Sequence, residues 1–168
     1  MAIYLLIGPS GSGKTTACEI ISQESEIKIF DLDKVLKEKI GGSLSAFHLQ
    51  NGDQALFDLS KEAILDIEQN SKSKTIIVVG AGSINLDSSH KWYTEKQLIA
   101  LTGNEEKIYD RGNRKKFHPS LQAYINAEFS PSRKNLYQKS KLCIDVTDKT
   151  PEGIANELID FVNNTPNS

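Results

Sequence analysis

The 168-residue chain holds only two cysteines, Cys18 and Cys143, and they lie far apart in sequence. They form no metal-ligand pair, which argues against a disulfide scaffold. Its three histidines, His48, His90 and His118, are scattered and show no metal-ligand spacing. No excess of basic charge exists either: 20 Lys+Arg stand against 22 Asp+Glu, a formal net charge of −2. A protein that coats a nucleic-acid duplex normally carries a basic excess, so a polynucleotide partner is not expected. No apolar run approaches the roughly 18 residues of a membrane span. The opening MAIYLLIG lacks a basic leader and does not read as a signal peptide. Aromatic residues make up only 7% of the chain. Its length suits one domain over residues 1–168, long enough to bury about two thirds of its unfolded surface. The expectation is a cytoplasmic monomer without membrane or nucleic-acid partners.

What is present is a regular alternation. Ile3–Ile7, Ile27–Phe30, Thr75–Val79 and Leu142–Val146 read as strands, with Gln97–Leu101 a weaker candidate. Apolar runs without strict alternation suit strands buried on both faces, as in parallel sheets. Helices are predicted over 14–23 and 53–69, the second with Leu56, Leu59, Ala63 and Ile67 on one stripe. A last helix opens with Thr150 as cap and Pro151 at its first position, and presents Ile154, Leu158, Phe161 and Val162. Strand–helix alternation in so short a chain implies an open α/β sheet with right-handed crossovers. Residues 103–120 break the pattern: they are dense in charge and read as a long lid-like loop. A polar tail follows Asn163.

The strongest signal is Gly8-Pro9-Ser10-Gly11-Ser12-Gly13-Lys14-Thr15, which fits G-x-x-x-x-G-K-[ST] after a strand and before a helix. Its glycines let backbone N–H groups converge on phosphate oxygens, and the helix N-terminus adds positive potential. Lys14 can reach the outer phosphates and the Thr15 hydroxyl can ligate Mg²⁺. Gly8, Ser10, Gly11, Ser12, Gly13, Lys14, Thr15 and Thr16 are therefore the candidate nucleotide-binding residues. A concentrated pocket of this kind fits a mononucleotide and explains how a chain without basic excess can bind an anion. At the end of the second strand, Asp31 and Asp33 stand two residues apart. That spacing aims both toward the crevice at the strand ends, where one can help hold Mg²⁺ and the other can address a hydroxyl. Either can instead cap the helix that starts near Lys34.

At this point the chain resembles the shikimate kinase family over nearly its whole length. The resemblance rests on an ordered set: the phosphate loop, Asp31-Leu32-Asp33, Gly41-Gly42-Ser43-Leu44, Gly52-Asp53, Gly80-Ala81-Gly82, and Arg133-Lys134-Asn135-Leu136-Tyr137. It implies a three-layer α/β/α fold with a five-stranded parallel sheet, like P-loop nucleoside-monophosphate kinases, and a mobile lid. It also implies an ATP- and Mg²⁺-dependent kinase that moves the γ-phosphoryl group to a hydroxyl of a small metabolite. The implied acceptor is shikimate or a related hydroxylated acid or polyol. By the same resemblance Lys14 and Asp33 act in catalysis, Thr15 and Asp31 surround Mg²⁺, and Gly80, Ala81, Gly82 and Arg133 meet the acceptor. Counting back from Arg133 lands on Arg114 as the lid arginine, with Arg111 a rival on the nucleotide side.

Three departures stand out. The family carries an acceptor-binding arginine early in the helix after Gly52-Asp53, whereas this chain has Leu56, Phe57 and Asp58, with Lys61 the nearest base. Ala81 replaces the middle glycine of a triplet, and Leu101 stands where an adenine-stacking arginine is frequent. Two other readings stay open: a nucleotide-binding regulatory module without phosphotransfer, and a nucleoside or nucleotide kinase. Product formation across an acceptor panel separates the first, and competition by a nucleoside separates the second.

Overall fold

Strand β1 (Ile3–Ile7) is buried at every position because a strand covers it on each side and helices cover both faces. The computed structural model describes residues 2–80, 91–111 and 117–166. Its other strands are β2 (Lys28–Asp31), β3 (Thr75–Val78), β4 (Gln97–Thr102) and β5 (Leu142–Asp145). All pair parallel, in the order β2-β3-β1-β4-β5. The position of each strand matches its composition. Central β3 is buried throughout, while edge strands β2 and β5 alternate between covered and exposed positions.

Helices α1 (Lys14–Glu24), α2 (Leu32–Ile40), α3 (Leu44–Asn70), α4 (Lys91–Thr94), α5 (Glu105–Arg111), α6 (Leu121–Glu128), α7 (Pro131–Gln138) and α8 (Pro151–Asn164) complete the described chain. The predicted helix over 53–69 is the second half of α3. Gly52, at φ 85° and ψ 178°, breaks its helical geometry. The fully buried positions of that half are Leu56, Ser60, Ala63 and Ile64, with Leu59 and Ile67 packed partly against the core. Helix α8 is anchored on β1: the Tyr4 hydroxyl donates to the Val162 carbonyl at 3.3 Å, and Phe161 meets the Tyr4 ring edge-on. Within the predicted loop, residues 105–111 form α5 instead, because Ile108 and Tyr109 turn into the core while Glu105, Glu106 and Lys107 stay outside it.

The aromatic residues are few but concentrated. Tyr109, Tyr124, Phe129 and Tyr137 form a chain of ring contacts joining α5, α6 and α7, with the His118 ring set edge-on against Tyr124. Each such pair adds about 0.5–1.5 kcal/mol beyond its burial. This cluster fixes α6 beside the carboxyl ends of the strands.

The start of α8 offers a direct test of the local reading. Thr150 Oγ1 accepts from the Gly153 N–H at 3.1 Å, and Pro151 occupies the first helical position. Thr150→Ala should cost about 1 kcal/mol. Melting followed by circular dichroism should then fall by about 2–4 °C; an unchanged midpoint would show that the cap is not holding the helix.

Candidate active site

The loop between β1 and α1 is shaped by backbone conformations that side chains disfavour. Gly8, Gly11 and Gly13 have φ of 152°, 89° and 93°. At Gly8 space is also lacking, since a Cβ there would lie 2.4 Å from the Leu101 carbonyl oxygen of β4. Gly13 precedes α1 in the left-handed region and supplies no side-chain cap. The first N–H groups of α1 are therefore left for an anion, in a helix whose first turn carries no acidic residue. Lys14 Nζ lies across the loop, donating to the carbonyls of Gly8 at 2.7 Å and Pro9 at 3.0 Å.

These groups open into a cavity of about 640 Å³. Of the predicted residues, Ser10, Gly11, Gly13, Lys14, Thr15 and Thr16 line it on the loop side. Asp31, Asp33, Gly80 and Arg111 line it elsewhere. Gly8 and Ser12 do not; they lie beneath the loop, where Ser12 is buried and Gly8 offers its carbonyl to Lys14. Ala81, Gly82 and Arg114 lie outside the described residues. The Arg111 guanidinium donates to the Thr147 carbonyl, in the turn after β5. There Asp145 is held below its ordinary carboxylate range, chiefly by hydrogen bonds from the Thr147 side chain and backbone.

The two aspartates do not sit on one extended strand as their spacing suggested. β2 ends at Asp31, which caps α2 by accepting from the Lys34 N–H at 3.3 Å. Asp33 lies in the first turn of α2, and both still reach the cavity. The Asp33 Oδ1 atom is buried and has no hydrogen-bond partner among the described residues. Gly80 makes room for that carboxylate: a Cβ there would stand 2.9 Å from Asp33 Oδ2. The expectation that Gly80 admits a substrate is thus joined by a more local need.

Arg133 stands apart from its expected position, since it does not line the cavity. Its Nη1 donates to Glu128 Oε2 at 2.9 Å, and it is Glu128, only 5% exposed, that lines the cavity. The same Oε2 accepts the Ser10 N–H at 3.2 Å, while the Tyr124 hydroxyl donates to the Ser10 carbonyl at 2.6 Å. Helix α6 therefore grips the phosphate loop by both sides of one residue. Sequence reasoning missed this helix. The signals were Ser120, whose side chain caps it, and the Tyr124/Glu128 pair one turn apart.

The place of the missing arginine is also clear. Leu56 is buried and Phe57 meets Tyr93 edge-on at 5.5 Å. Lys61 lies over the Trp92 ring, 5.5 Å from its centroid, and Asp58 accepts from Gln54. Neither Lys61 nor Asp58 is among the described residues lining the cavity. Trp92 and Tyr93 thus serve packing, with their rings edge-on to each other. Cys18 is a core residue whose thiol burial pushes up to about 12, which removes it as a nucleophile.

A phosphate loop on the central strand of a parallel sheet, facing paired carboxylates across one cavity, defines a P-loop phosphotransferase. The shikimate kinase family model matches residues 10–163, and the chain belongs to that family of ATP-dependent small-molecule kinases. The shikimate kinase of Thermodesulfovibrio yellowstonii is 28% identical over 164 residues, covering 95% of this chain and 94% of that protein. That of Enterococcus faecalis is 28% identical, covering 95% and 97%. Among solved structures, shikimate kinase from Bacteroides thetaiotaomicron shares the fold at TM-score 0.77 and 14% identity, covering 96% of this chain and 98% of that one. The enzyme from Acinetobacter baumannii, solved in complex with shikimate, does so at 0.69 and 17%, covering 96% and 92%.

The contact at Gly8 is testable. Gly8→Ala would drive a methyl group into backbone at a φ that side chains rarely adopt. Calorimetric titration with ATP should show binding weakened by at least about tenfold; wild-type affinity would mean that the loop tolerates a different seat.

Proposed function

We propose that this kinase phosphorylates a ring or chain hydroxyl of a small hydroxylated carboxylic acid, with shikimate the first acceptor to be tried. The observation that carries the proposal is the buried, unpartnered Asp33 carboxylate oxygen on the wall of the cavity that the phosphate loop also lines. An acceptor of that kind supplies the hydroxyl proton which this oxygen lacks. The names of the related kinases favour shikimate among such acids.

In this reading the loop amides and Lys14 hold the phosphates and offset charge on the group in transfer. Asp33 takes the proton of the attacking hydroxyl, and Arg133 recognises the acid. Arg111, or Arg114 in its stead, closes over the nucleotide. No cluster of three or more His, Cys, Asp or Glu able to hold a metal occurs among the described residues. The donor set present, the Thr15 hydroxyl with the carboxylates of Asp31 and Asp33, suits Mg²⁺, which is commonly held by one or two carboxylates together with phosphate oxygens. Thr15 and Asp31 would hold it, and when bound it supplies charge neutralisation at the phosphates. A purely regulatory module would have no use for an orphaned carboxylate opposite the loop.

A coupled ADP-release assay across hydroxylated acids, polyols and nucleosides tests the acceptor. Turnover with shikimate is expected; turnover confined to a neutral polyol or a nucleoside would contradict it. Asp33→Asn should lower turnover by about 100-fold or more while ATP still binds, since a positioned base contributes at least that much. Gly80→Ala should act in the same direction by displacing Asp33, and full turnover in either variant would remove Asp33 from its role.

A further inference from the structure

We propose that Glu128 sets how tightly this site takes a carboxylate-bearing acceptor, because it occupies Arg133 as an internal stand-in for the acceptor's own carboxylate. The inference rests on the reading of the acceptor as an acid that Arg133 recognises.

The geometry is specific. Arg133, which the family resemblance implies meets the acceptor, is 18% exposed at its side chain and bonded to Glu128 at 2.9 Å. Glu128 is the member of the pair that lines the cavity. An acid entering the cavity therefore meets an anion before it meets the arginine, and must take the guanidinium from it. A buried carboxylate does not give up a charged partner without another, because stranding it is costly. One substitute stands beside it, and a second bond stays in place. The Ser10 N–H is already bonded to Oε2, and His118 Nε2 lies 3.7 Å from Oε1. The Glu128 side chain can thus yield Arg133 while keeping its hold on the phosphate loop.

A second observation points the same way. The sequence has no arginine at 56–58, where Phe57 packs on Tyr93, and Lys61 is engaged with Trp92. The acceptor side therefore has one cation fewer than the family pattern, and Glu128 offsets the charge of Arg133. Both features lower affinity for an acid relative to a neutral molecule of the same shape. That makes Glu128 a specificity-determining residue, acting through Arg133 on the substrate and through Ser10 on the loop.

Glu128→Gln separates these links. A glutamine keeps an oxygen for the Ser10 N–H and nearly the same volume, but it removes the charge that holds Arg133. Calorimetric titration of shikimate and of its neutral methyl ester into wild-type and variant reads the effect, with melting temperature as the folding control and ATP affinity reporting on the loop. The variant should bind shikimate about tenfold or more tighter, the magnitude of one charge-assisted hydrogen bond. Binding of the ester should hardly change. In kinetics the gain should appear in the KM for shikimate far more than in kcat. The added Arg133→Gln change should abolish the gain. Equal or weaker shikimate binding in Glu128→Gln, absence of binding by both proteins, or an equal gain for the ester would overturn the proposal. Failure of the acceptor reading looks different: wild-type enzyme would not phosphorylate any hydroxylated acid, whatever the ratio of affinities.

Discussion

Gly8 lies so close to β4 that only a hydrogen atom fits between its α-carbon and the Leu101 carbonyl, and the phosphate loop depends on that contact. Amides can converge on an anion only if their carrier is held in one arrangement, because a loop that samples many loses the benefit to entropy. One end of the loop is seated on β4 through Gly8. The other continues into α1, whose first turn is left uncapped by Gly13. Its middle is held at Ser10 by Tyr124 and Glu128 of α6. The aromatic chain through Tyr109, Phe129 and Tyr137 then fixes α6 in turn. Four of the chain's twelve aromatic residues thus stabilise the backbone of the glycine-rich loop.

The same economy governs charge. With 20 basic and 22 acidic residues the chain has no global field to offer an anion. It concentrates potential locally, through Lys14, the loop amides and the start of α1. The same cavity also carries carboxylates: Asp31 and Asp33 from the turn into α2, and Glu128 from α6. Asp33 is kept in place by the absence of a side chain at Gly80, so that two segments distant in sequence define one wall.

Much of this was legible in the sequence because it depends on local rules. The uninterrupted apolar runs at Ile3–Ile7 and Thr75–Val78 are the central strands, and Thr150-Pro151 starts the last helix as read. The glycine spacing and Lys14 define the loop without reference to tertiary structure. Elements whose stability comes from packing were not legible. Helix α5 looks like a charged loop until Ile108 and Tyr109 find a core, and α6 is too short for periodicity to reveal. The Arg133–Glu128 bond pairs residues five apart across the turn between α6 and α7, so it cannot be read before both helices are placed. Asp33 illustrates an intermediate case. Its place at the cavity was foreseen, but its position in a helical turn rather than on a strand was not.

Phosphoryl transfer between two small molecules in this cavity is open to direct observation. Phosphorus NMR of the enzyme with ATP, Mg²⁺ and shikimate follows that transfer without coupling reagents. A phosphate-monoester resonance on the acceptor should grow in step with ADP. Growth of inorganic phosphate alone, or bound ATP that never turns over, would contradict it.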